Sequence, residues 1–186
     1  MNNTKFGQNA LQNNKSNNNS AFGTSSLQKN KKGTQNTAMG SQSLNKNIDG
    51  LNNSAHGYRA LKNTTGEQNT AVGALAGRTI IQGNRNITIG FKADVPNTNA
   101  NNQIVIGSEA TGHQDNGVVI GNEDTNIIEP GITNKIDLGS ETFKFRSLYL
   151  GNNGIIDGDL TVKGRINNDT EITSVVNGNL LVIGNA

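Results

Sequence analysis

The chain contains no cysteine and no tryptophan, only five phenylalanines and two tyrosines, and only 32% of its residues are hydrophobic. Without cysteine there are no disulfides and no thiolate metal sites. So few large apolar side chains place the bulk composition close to that of disordered chains, because little burial opposes the conformational entropy of folding. No apolar run reaches the 18 residues that a membrane-spanning helix needs. What stands in their place is asparagine, 33 of 186 positions, and glycine, another 23. A chain of this composition folds only if its few apolar residues recur at fixed intervals.

Charge of one sign is also scarce. Sixteen Lys and Arg against fourteen Asp and Glu leave a formal net charge of +2, too weak a field to steer a polyanion. The densest basic cluster, Lys29, Lys31 and Lys32, lies in an Asn-rich segment and reads as a solvated bend. No stripe of Lys and Arg alternates with aromatics, so no nucleic-acid partner is expected. The first residues, MNNTKFGQNALQNN, lack the apolar core of a secretory signal, so export by the general route and membrane insertion are not expected.

The periodicity is present and strong. The segments NTKFG, NSAFG, NTAMG, NSAHG, NTAVG, NITIG, QIVIG and GVVIG end at Gly7, Gly23, Gly40, Gly57, Gly73, Gly90, Gly107 and Gly121. The unit is about 17 residues, shortening to 14 at the last step. A second element, QNAL, TSSL, SQSL and YRAL, follows the first four glycines and brings Leu11, Leu27, Leu44 and Leu61 into register; it weakens later. Such a period marks a repeat architecture. Asn and Gly at this density disfavour helix, and the unit is too short for a helical repeat. The expected fold class is all-β: a β-solenoid or β-roll over residues 1–121, one coil per repeat, each coil hydrogen-bonded to its neighbours.

Strand side chains alternate between faces. The residues one and three before each glycine therefore share a face: Phe6/Thr4, Phe22/Ser20, Met39/Thr37, His56/Ser54, Val72/Thr70, Ile89/Ile87, Ile106/Ile104 and Ile120/Val118. The expectation is that the larger of each pair fills the interior. Ala21, Ala38, Ala55 and Ala71, between them, would admit another backbone layer, and the leucines would supply a second inward anchor. Each glycine suits a left-handed corner or a close backbone contact. Asparagines at equivalent turn positions can ladder and tolerate left-handed backbone. The core drifts from Phe/Met with a Leu partner to Ile/Val without one, so a change of cross-section is expected after Gly73. So thin a roll buries little apolar surface per coil, and packing of identical chains, intertwined or side by side, would supply the missing burial.

After Gly121 the register breaks. Residues 122–134 contain a Pro-Gly turn and read as a junction. Residues 135–186 read as a C-terminal β module, with short strands at 135–139, 145–151, 154–166, 171–176 and 179–184 and a hairpin turn at Asn177-Gly178. Phe143, Phe145 and Tyr149 are expected to nucleate its core.

The segments NTAVGALAG, NITIGFKAD and QIVIGSEAT resemble the NSVAIGxxA head repeats of trimeric autotransporter adhesins, and the resemblance implies a trimeric left-handed parallel β-roll. The phrasing at 53–75 is similar to repeats in fibre and surface proteins of phages and large DNA viruses. The segment IDLGSETFKFRSLYLGNNGIIDGDLTVKG is similar to modules of phage and viral tail-fibre proteins. Such adhesins carry an exported N-terminus and a C-terminal membrane barrel, and many phage fibres end in a self-cleaving chaperone domain; none of these is read here. A virion protein needs no signal peptide, and the expectation tilts to a virus.

Residues able to carry chemistry are few. His56 occupies a position that elsewhere holds Phe, Met, Val or Ile; a packed imidazole is expected there, although near a trimer axis it would be placed to hold an anion or metal. His113 lies in the turn formed by Thr111, Gly112, His113, Gln114, Asp115 and Asn116 and is expected to be exposed. Without Cys or a His pair at ligand spacing, neither a zinc site nor a nucleophilic triad is expected. Asp157 and Asp159 flank Gly158, and Glu123 and Asp124 precede Thr125; neither pair fits a calcium loop. No phosphate-cradling glycine motif occurs. Sequons beginning at Asn52, Asn63 and Asn86 are expected by composition alone, and the threonines form no regular ice-binding face.

The sequence therefore points to a protein without catalytic, cofactor-binding or metal residues. The expected function is a non-enzymatic, homotrimeric fibre or spike element on a virion surface, used for attachment or capsid decoration, its partners other virion proteins and a host glycan or receptor. The alternatives are the head fragment of a bacterial surface adhesin and a glycan-processing tailspike.

Overall fold

The computed structural model describes residues 2–125, 127–129 and 137–150. The chain divides into two units, Met1–Glu129 and Pro130–Ala186. The first is a β-solenoid. Eight strands of three residues each, β1 (Thr4–Phe6), β2 (Ser20–Phe22), β3 (Thr37–Met39), β4 (Ser54–His56), β5 (Thr70–Val72), β6 (Ile87–Ile89), β7 (Ile104–Ile106) and β8 (Val118–Ile120), form one parallel sheet in sequence order. Each strand pairs with the next in the register that the glycine alignment expects: Ala38 lies beside Ala55 and Met39 beside His56.

Each coil leaves its strand through a glycine with positive φ, +136° at Gly40 and +134° at Gly73. Stacking adds a second demand, since a Cβ on Gly40 would lie 2.5 Å from the Gly57 carbonyl oxygen. Glycine is the residue that satisfies both. The chain then turns through a second left-handed position occupied by Leu11, Leu27, Leu44 and Leu61, with φ between 46° and 50°. Left-handed backbone costs a non-glycine residue roughly 1–2 kcal/mol. Here it turns the leucine into the interior, where burial of about 1.5–3 kcal/mol per side chain offsets it. Bonds between coils continue through these turns: Leu27 N–H donates to the Ser43 carbonyl (3.0 Å) and Leu44 N–H to the Ala60 carbonyl (3.1 Å).

The leucines are inward as expected, with Leu27, Leu44 and Leu61 fully buried. The strands are not. Ala21, Ala38, Ala55 and Ala71 are buried to 0% exposure, and the large residues beside the glycines point outward. The expectation that Phe22, Met39, Val72 and their equivalents fill the interior is thus reversed. The strands alternate as expected but with the opposite phase, and a shift by one residue exchanges every side chain between faces. The physical cause is the thinness of the coil: with leucine and asparagine rows already inside, the space behind the sheet admits a methyl group and little more.

Those asparagine rows are the second structural element of the core. Asn19, Asn36, Asn53, Asn69 and Asn86, each directly before its strand, are at most 1% exposed. Each accepts on Oδ1 the backbone N–H of its counterpart one coil on, as Asn36 Oδ1 does from Asn53 N–H (2.9 Å). Each donates from Nδ2 to a carbonyl in that next coil, as Asn53 does to Gly66 (2.8 Å) and Asn69 to Gly83 (2.8 Å). A shorter row, Asn14, Asn30 and Asn47, is linked in the same sense, Asn30 Nδ2 to Asn14 Oδ1 (2.6 Å) and Asn47 Nδ2 to Asn30 Oδ1 (3.1 Å). Buried amides are tolerated because they are paired; Asn47 Oδ1, at the end of the shorter row, is the exception and has no partner among the described residues.

The interior changes after Gly73. The leucine row ends at Gly77 and the second amide row passes through Thr64 to Ile80, which is fully buried. A Cβ on Gly77 would meet Leu61 Cδ2 at 2.7 Å, Thr88 Oγ1 at 3.1 Å and Ile80 Cδ1 at 3.3 Å, so these three side chains together fill the volume that a leucine would take there. The strand centres enlarge in step, from Ala71 to Thr88 to Val105, all buried.

In the second unit, residues 137–150 form no strand; Ser140 N–H donates to the Phe143 carbonyl (2.9 Å) in a tight turn. Of the strands expected at 135–139 and 145–151, the described residues 137–139 and 145–150 are not in strand conformation. Phe143, Phe145 and Tyr149 are exposed and nucleate no core within this stretch. The strands expected at 154–166, 171–176 and 179–184 lie outside the described residues.

Candidate functional site

The outward positions of the sheet make one continuous face. Nearest the glycines runs the row Phe6, Phe22, Met39, His56, Val72, Ile89, Ile106 and Ile120; beside it runs Thr4, Ser20, Thr37, Ser54, Thr70, Ile87, Ile104 and Val118. None of these sixteen positions carries Asp, Glu, Lys or Arg. The face starts mixed, with hydroxyls beside aromatics, and becomes wholly aliphatic over β6–β8. At the strand spacing of a sheet it is roughly 34 Å long.

The apolar residues of the row beside the glycines are open to solvent, from 36% for Ile106 to 76% for Phe6, while Ile87 and Ile104 of the second row are half-buried. Large side chains offer about 150–250 Å² when aromatic and somewhat less when aliphatic, so the row presents on the order of 600 Å² of apolar surface. That is the upper end of the largest apolar patch on a typical monomer, about 300–600 Å², and patches of this size are often functional.

Beyond the glycines the surface turns polar. Arg59 lies over the Tyr58 ring and Lys92 over the Phe91 ring, each 4.8 Å from the centroid. Arg59 Nε donates to Gln42 Oε1 (2.9 Å), and Lys92 Nζ to Glu109 Oε1 (2.8 Å). The Lys92 hydrogen bond, then its charge, lowers the Glu109 pKa. Burial first, then the charges of Arg59 and Lys46, lowers the Lys62 pKa.

His56 lies on the outward face, exposed, between Met39 and Val72. The packed imidazole expected within the chain is therefore corrected, for the same reason as the apolar residues of its row. His113 is exposed in its turn, as expected. Lys29, Lys31 and Lys32 are exposed, and the backbone N–H groups of Lys31 and Lys32 both donate to the Ile48 carbonyl, which makes the cluster a bend. Glu123 and Asp124 are exposed and border a recess of about 860 Å³ at the end of the solenoid, with Glu109, His113, Ile120 and Thr125. Among the described residues, no three of His, Cys, Asp or Glu come together to hold a metal ion. Asp157 and Asp159 lie outside the described residues. Of the sequons, Asn52 is exposed, while Asn86 is buried in the amide row and inaccessible to modification.

One polar centre escaped the sequence reading. Asp94 is 8% exposed and accepts from Thr79 N–H (3.2 Å), Thr79 Oγ1 (2.7 Å) and Val95 N–H (3.0 Å), with Arg78 Nε 3.6 Å away. Burial raises its pKa against the lowering effect of those hydrogen bonds and of the Arg78 charge. It ties coil to coil where the leucine row has ended. No helix among the described residues is long and apolar enough to cross a membrane. No family model, curated protein or solved structure matches the chain.

Proposed function

We propose that this chain is a non-enzymatic structural element of a virion surface, a fibre or spike segment in which copies of the solenoid pack side by side through the outward face of the sheet. The single observation that carries the reading is that face, uncharged along its length and exposing on the order of 600 Å² of apolar surface. A stable interface buries about 800 Å² per partner, so this face with its flanking hydroxyl row has the size that one requires. A second copy is the occupant that fits best, because its face repeats with the same coil-to-coil spacing and meets no charge. The number three, and the assignment to a virion, come from the resemblance of the repeats to trimeric fibre and adhesin heads.

Function on this reading is mechanical: a stack of coils gives reach, and a repetitive surface gives attachment or decoration. The experiment is immunolabelling of particles and cells from the source with an antibody raised to residues 1–121. Labelling of virion surfaces is expected. Labelling confined to a bacterial surface would select the adhesin reading, and steady glycan turnover by the purified chain would overturn the non-enzymatic one.

A further inference from the structure

We infer that His56 makes self-association of this chain pH-dependent: copies pack through the outward face while the imidazoles are neutral and separate when they take up a proton. The inference rests on the reading that this face is the seam between copies.

His56 is the only titratable side chain among the sixteen outward positions of the sheet. Strand pairing places Met39 of β3 on one side of it and Val72 of β5 on the other. The remaining outward residues of those strands and its own are Thr37, Thr70 and Ser54, hydroxyls that can hydrogen-bond a neutral ring and cannot neutralise a charged one. Beyond the strand in its own coil come Tyr58, Arg59 and Lys62, and in the coil before, Lys46; the charged groups of this set are all cations. The carboxylates of these coils, Asp49 and Glu67, line a separate recess with Gln68, Gln82, Asn84 and Arg85. A facing copy in register brings the same set, its own His56 included.

In the separated chain His56 is exposed and a proton on it is solvated. In the seam that charge would be withdrawn from water with no carboxylate to pair it, which is costly. Imidazole is the side chain that ordinarily changes charge between pH 5 and 8. Each copy therefore takes up a proton on separating. By linkage, the logarithm of the association constant falls by up to one per pH unit for each copy in the assembly.

The test is sedimentation equilibrium of the full chain between pH 8 and pH 5 at fixed protein concentration and salt, with far-UV circular dichroism to confirm the fold. The wild type and a His113→Gln control are expected to be assembled at pH 8 and to separate on acidification, the constant falling at least tenfold per unit through the transition. His56→Val, which copies the residue of the next coil, and His56→Gln are expected to stay assembled throughout. A wild type that remains assembled at pH 5, or variants that separate as it does, would overturn the role of His56 and leave the seam standing. A wild type that is monomeric at pH 8 would overturn both.

Discussion

Replacing Asn53 by alanine tests whether the buried amide row holds the coils together. Asn53 Oδ1 accepts Asn69 N–H at 2.9 Å and Nδ2 donates to the Gly66 carbonyl at 2.8 Å, both bonds buried. Among the described residues, neither Asn69 N–H nor the Gly66 carbonyl has a second partner. Truncation orphans both, at about 1–3 kcal/mol each, so the expected loss is roughly 2–6 kcal/mol. Asn53→Asp keeps the acceptor, removes the donor and buries a charge, and should cost more. Asn99, exposed on a loop, is the control; its alanine variant should fall within about 0.5 kcal/mol of wild type. Urea unfolding followed by far-UV circular dichroism reads all three, at one protein concentration because association contributes to apparent stability. If Asn53→Ala is no more destabilised than Asn99→Ala, the amide row does not support the fold.

The inward and outward rows should respond differently. Leu44→Ala is expected to cost about 2–5 kcal/mol in unfolding free energy, whereas Met39→Ala should leave the unassembled coil within about 1 kcal/mol of wild type and weaken association instead; denaturation below and above the association concentration separates the two. Gly57→Ala puts a Cβ 2.5 Å from the Gly73 carbonyl oxygen at a φ of +136°, and the backbone strain alone should lower stability by roughly 1–3 kcal/mol, seen as a lower urea midpoint. Asp94, whose pKa is raised by burial, penalises the folded chain above its folded pKa, and that penalty is relieved as pH falls from there towards the unfolded value. The rise in thermal midpoint on mild acidification should be smaller in Asp94→Asn, measured in a His56→Val background.

Much of the fold was legible because stacking copies one coil onto the next. The glycine spacing set the strand register, and the recurrent leucine marked one inward row. Which face of the strand looks inward was not legible, because alternation is symmetric between Ala38 and Met39 until the depth of the coil is known. The repeat places asparagines at equivalent turn positions where they can ladder, but it does not show that they are buried. Their burial follows from a local circumstance, a carbonyl of the next coil within reach of Nδ2, whose signal is the fixed place of Asn19, Asn36, Asn53, Asn69 and Asn86 directly before each strand. The row ends where the spacing shortens: Gln103 keeps its backbone bond to Asn86 Oδ1 (3.1 Å), but its own amide is buried with no partner among the described residues. Asp94 sits where the second element of the repeat has weakened to FKAD, and nothing in the spacing shows that Thr79 will reach it.

The outward face of the sheet is also where sequence and structure differ most. Placing the large residues outside removes them from the core and leaves them exposed, and on the proposed reading a second copy covers them. Sedimentation equilibrium of the wild type beside Ile89→Lys/Ile106→Lys, at pH 8, tests that reading most directly. The expected result is a wild-type mass near three times the 19.6 kDa of one chain and a monomeric double variant with an unchanged β-rich spectrum. A wild type that sediments as a single chain, or a double variant that assembles as the wild type does, would contradict the account.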